Sequence, residues 1–115
     1  MEVNQKPHKL TTFEKLSEAL QEQVKLVYSE GFADSLIEYK GKDGAKVFAL
    51  RFETDDTVYL IKMSGKRAEQ IILDDDDFDE DGNLTKIAKQ LYGEKYSDKD
   101  YLSDYNDFEF NDEED

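Results

Sequence analysis

The spacing of apolar residues changes several times along the chain, and each change marks an element. Phe13, Leu16, Leu20, Val24 and Val27 recur at intervals of three and four, which draws one stripe along a helix. Thr11 and Glu14 have the spacing of a capping box, and Gly31 follows as a stop, so the pattern predicts a helix over 12–28. Alternation with period two then predicts strands at 35–40, 45–53 and 57–63, joined by the short polar turns Lys42-Asp43-Gly44 and Thr54-Asp55-Asp56. These read as an antiparallel meander.

Alternation also sorts side chains onto faces. Phe48, Leu50 and Phe52, with Tyr59, Ile61, Met63, Ile37 and Tyr39, are expected to line the core face. The opposite face carries Leu36, Val47, Ala49, Val58 and Leu60, so it needs a cover too; helices from the two ends of the chain are the expected cover, a dimer or partner surface being the other solution. Ser64 is a suitable N-cap for a short helix over 65–73 that turns Ala68, Ile71 and Ile72 inward. A last helix carries Leu84, Ile87, Ala88, Leu91 and Tyr92 as its stripe and Gly93 as its stop. The expected fold is α+β: an N-terminal helix, a three-stranded antiparallel β-meander, two C-terminal helices and an acidic disordered tail. The expected boundaries are a flexible arm at 1–10, one domain at 11–96 and the tail at 97–115.

Charge sharpens this division. The chain of 115 residues has a formal net charge of −14, yet residues 74–82 hold 7 of its 29 acids and residues 97–115 hold 9 more against the single base Lys99. The remainder is nearly neutral, which confines self-repulsion to two segments. No lysine and arginine cluster is present to neutralise phosphates, so neither direct nucleic-acid binding nor an anionic membrane surface is expected; a basic protein, a class that includes nucleic-acid binders, is the expected partner. Nothing approaches a membrane span or a signal peptide, and the chain is expected to be cytoplasmic, a monomer or weak dimer.

Catalytic chemistry finds little support. There is no cysteine, and the lone histidine, His8, leaves a Ser-His-Asp triad without a base. Gly65-Lys66 is followed by Arg67 where a phosphate-binding loop needs serine or threonine. No enzyme is expected.

Two segments carry candidate sites. Asp77, Asp79, Asp81, Gly82 and Leu84 stand at positions 1, 3, 5, 6 and 8 of a stretch between two predicted helices that resembles the EF-hand calcium loop. The resemblance implies calcium as a candidate ligand of Asp77, Asp79 and Asp81; it covers 12 residues and departs from the family at position 12, where Ala88 replaces the bidentate glutamate. The tail interleaves carboxylates with rings, and Tyr101, Asp104, Tyr105, Asp107, Phe108, Glu109 and Phe110 are the expected contacts with a basic partner, the rings standing where bases would stack. The leading functional expectation is therefore a non-enzymatic acidic binding protein of inhibitor, immunity-protein or nucleic-acid-mimic type. A calcium module and a small intracellular domain with no ligand remain open.

Overall fold

The computed structural model describes residues 6–105. Its sheet has four strands, β1 (His8–Thr11), β2 (Ile37–Lys40), β3 (Lys46–Glu53) and β4 (Val58–Lys62), in the order β1-β4-β3-β2. Three helices follow or interrupt them, α1 (Glu18–Val27), α2 (Gly65–Leu73) and α3 (Lys86–Lys95), together with 3₁₀ turns at Phe13–Lys15, Ala33–Ser35 and Asp100–Tyr105.

The expected meander is present as β2-β3-β4, but it is not the whole sheet. β1 adds to β4 in parallel, pairing His8 with Val58 and Leu10 with Leu60, so the sheet is mixed and the first element among the described residues is a strand, not a helix. This strand lies largely in the stretch expected to be an arm. Thr11 is therefore in a strand and cannot cap a helix, and Glu14 pairs instead with Arg67. The chain makes one 3₁₀ turn, goes extended at Leu16 and only then starts α1, with the Ser17 hydroxyl accepting from Leu20 N at 3.2 Å. Gln21 Nε2 donates to the carbonyls of Phe13 (3.0 Å) and Leu16 (3.2 Å), satisfying backbone groups that a continuous helix would have paired itself.

The register corrects the faces as well. Ile37 stands opposite Ala49 and Tyr39 opposite Val47, so both share the second face, and Leu36 turns to the core instead. A one-residue displacement exchanges the faces of a strand. Leu50, Phe52, Ile61 and Met63 form the sheet side of the core, packed with Phe13, Leu16, Val24 and Leu26, Ala68, Ile71 and Ile72, and Ala88 and Tyr92. All three helices thus lie on this one face. Ala49 and Val58 are buried among the side chains of the other face, outside that cluster, where Leu10 is 58% exposed and Ile37 40%. Among the described residues no helix covers it, contrary to the expected two-sided cover.

α3 also differs in its details. Leu84, Ala88, Tyr92 and Tyr96 are buried while Ile87 and Leu91 point outward, and the helix passes Gly93 to end at Lys95. Beyond it the 3₁₀ turn returns to the body: Leu102 is buried and the Tyr101 ring meets Phe52 edge-on at 6.3 Å. The packed core thus includes residues beyond 96. Leu102→Ala is expected to lower unfolding stability by about 2–3 kcal/mol, the cost of an apolar side chain removed from a packed site; urea titration of the full chain checks it, and a loss within experimental error would place Leu102 outside the core.

Candidate functional site

α1 is buried on more than its apolar stripe, because Glu22, Gln23 and Lys25 are enclosed along with Val24 and Leu26. Buried polar groups need partners, and each of these takes one from the C-terminal half. Glu22 Oε1 accepts from Tyr96 OH at 2.6 Å and from Lys95 Nζ at 2.9 Å; Gln23 Oε1 accepts from Tyr101 OH at 2.6 Å. Lys25 Nζ lies between two carboxylates, Asp75 Oδ2 at 2.9 Å and Asp77 Oδ2 at 2.7 Å, with its charge 5.6 Å from the centre of the Tyr92 ring. Tyr92 OH donates to the same Asp77 oxygen at 2.6 Å.

The acidic loop is organised by these contacts. α2 stops at Leu73, Asp75 Oδ1 accepts from Asp77 N at 2.8 Å, and Phe78 plugs the core beside Phe32, ring centres 6.0 Å apart. Asp79 Oδ1 accepts from the backbone N–H of Asp81 (2.9 Å) and Asn83 (3.0 Å), closing a turn in which Gly82 takes φ +83°. Leu84 N then donates to Ser29 O at 2.7 Å, which pins the loop to the end of α1. Thr85 starts α3 by accepting from Ala88 N.

The three aspartates proposed as metal ligands therefore point to different tasks. Asp77 is occupied by an ammonium and a phenol, Asp79 by its own backbone turn, and Asp81 is exposed. Among the described residues no group of three acidic, histidine or cysteine side chains is arranged to hold a metal ion. Of the expected tail contacts, Tyr101 is committed to Gln23 and Phe52. Asp104 and Tyr105 belong to the 3₁₀ turn by their backbone, and Asp107, Phe108, Glu109 and Phe110 lie outside the described residues.

A different constellation emerges beside the loop. The end of α1, the 3₁₀ turn Ala33–Ser35, α2 and residues 79–82 enclose a groove of about 340 Å³. Ala33, half-buried, and Leu73, 76% exposed, give it accessible apolar surface, while Phe32, Ala68 and Ile72 line it as buried side chains. Glu30, Asp34, Glu69, Asp79, Glu80 and Asp81 also line it, all exposed, and no lysine or arginine does. Glu30, Asp34 and Glu69 are isolated acids in the sequence; only the fold gathers them around the loop. The positive φ of Gly31 (+104°) and Gly82 (+83°) marks where the two chain segments meet, a Cβ on Gly31 falling 3.6 Å from Gly82 O.

Protonation couples the interior network to pH. Burial raises the Asp77 carboxyl, but hydrogen bonds from Lys25 and Tyr92 outweigh it and hold its pKa below the ordinary value; Glu22 is likewise raised by burial and lowered further by Tyr96 and Lys95. Their stabilising contribution is present above the unfolded carboxylate pKa and is lost as pH falls through the depressed folded values, so stability should fall in the acid range below about pH 4. Burial lowers the Lys25 ammonium, yet Asp77 and Asp75 raise it overall, and its contribution is present below the unfolded pKa and lost as pH rises through the folded one. Lys25→Met is expected to destabilise by about 2 kcal/mol at neutral pH, less than for a fully enclosed pair because the carboxylates keep some water. The same variant should lose less stability than the wild type between neutral pH and about pH 3, since Asp77 then gains less from ionising, keeping only the Tyr92 hydrogen bond. Urea titrations across that range, showing parallel wild-type and variant curves, would refute the assignment.

No protein-family model matches this chain, and neither a curated protein nor a solved structure is found to be similar to it.

Proposed function

We propose that this is a non-enzymatic acidic binding protein that engages a basic protein partner, in the manner of an inhibitor or a nucleic-acid mimic. The observation that carries the reading is where the negative charge is left over. Of the acidic loop, only Asp75 and Asp77 are neutralised from among the described residues, both by Lys25. Glu30, Asp34, Glu69, Asp79, Glu80 and Asp81 enter no ion pair among the described residues, although they surround one groove. A concave surface lined by a single sign of charge focuses the field and speeds encounter with the opposite sign. Hydrogen bonds from Asp81 and Asn83 N–H to Asp79, and from Leu84 N to Ser29 O, hold the loop side of the groove in place, which limits the ordering cost of binding.

The test begins with capture of partners by the full chain at low salt and continues with the affinity of the purified candidate. A basic protein is expected, bound more weakly as salt is raised because exposed charges are screened over about 8 Å at physiological ionic strength. The double charge reversal Glu69→Lys with Glu80→Lys should weaken it about tenfold, mostly through the association rate, with the melting curve unchanged. A partner whose affinity ignores both salt and the reversals would overturn the proposal.

A further inference from the structure

We infer that the groove takes the apolar side of a cationic amphipathic helix, an inference that rests on the binding role just proposed and specifies its ligand. The apolar surface decides that charge alone is not the whole ligand. Phe32, Ala68 and Ile72 line the groove as buried side chains, the half-buried Ala33 is small, and Leu73 is 76% exposed at the end of α2. A leucine so exposed, next to a concavity, is surface that an apolar side chain would remove from water. The volume of about 340 Å³ suits one or two large apolar side chains rather than an extended hydrophobic core.

The mode of recognition follows from what lines the groove. Its walls are α2, a 3₁₀ turn and the loop at residues 79–82, none of them a strand, so a peptide has no sheet edge there with which to pair its main chain. The available mode is side-chain insertion from a ligand that satisfies its own backbone, which is a helix presenting residues at i, i+3 and i+4. The rim supplies the second half of the signature. Lysines and arginines flanking the inserted residue lay their methylene stems along Leu73 and Ala33 while their charged ends reach the acids that line the groove, Asp34, Glu69, Asp79, Glu80 and Asp81. An uncharged amphipathic helix lacks the second contact and a disordered polycation lacks the first.

Fluorescence anisotropy with the full chain tests this, using three labelled synthetic probes: an amphipathic helix of leucine and lysine, the same composition in an order that destroys the stripe, and oligolysine. The amphipathic probe is expected to bind at least about fivefold more tightly than the other two. Leu73→Ser, which leaves the charge unchanged, should remove most of that advantage without affecting oligolysine, and Glu69→Lys should weaken all three. Leu91→Ser serves as the control, because Leu91 is 57% exposed on α3 but does not line the groove. Equal binding of all three probes, unaffected by Leu73→Ser, would overturn the inference and leave the acidic binding role standing. Loss of affinity by Leu91→Ser as large as that by Leu73→Ser would overturn it as nonspecific adhesion. Failure of every cationic probe to bind at low salt would remove the inference and the role together.

Discussion

The ammonium of Lys25, enclosed between Asp75 and Asp77, is the contact on which the arrangement of the helices depends. An unpaired charge at that depth would be untenable, so the position of α1 dictates where the acidic loop must lie. The loop in turn carries Phe78 into the core and delivers the chain to the start of α3, whose Tyr92 returns a hydrogen bond to Asp77. Glu22 and Gln23 repeat the arrangement a turn away with Lys95, Tyr96 and Tyr101. One helix is thereby fixed from two sides, by the sheet through its apolar stripe and by the C-terminal half through its polar residues.

This double role explains what could be read from the sequence and what could not. Strands β2, β3 and β4 and helix α2 follow local rules, alternation in the first case and a serine cap with three inward apolar residues in the second, and they lie within a residue or two of the expected limits. β1 obeys no such rule: His8-Lys9-Leu10-Thr11 has a single strongly apolar residue, and its pairing with β4 is invisible without the intervening fold. Likewise Glu22, Gln23 and Lys25 look like the solvent side of an amphipathic helix. They are buried because partners about fifty to eighty residues later reach them, and no local pattern encodes that distance.

The candidate site shows the same limit. The run Asp74–Asp81 announces itself in the sequence, but its repetition of aspartate hides a division of labour. Asp75 and Asp77 turn inward and neutralise a lysine, Asp79 shapes a turn, and Glu80 and Asp81 remain for the exterior. The resemblance to a calcium loop attends to the spacing of the carboxylates; their partners in the structure, which spacing does not report, differ from one to the next. Tyr101 makes the complementary point. Placed among acids it suggests a contact for another molecule, yet its ring and hydroxyl are both used at home.

The parallel placement of β1 beside β4 carries a consequence for the order of assembly. The hairpins β2-β3 and β3-β4 close over turns of a few residues, whereas His8 must wait for Val58, fifty positions later, before its strand has a neighbour. Loop closure over such a distance is entropically dearer and slower than a hairpin turn. On a ribosome, which releases the amino end first, β1 would therefore emerge well before β4, the neighbour it must pair with.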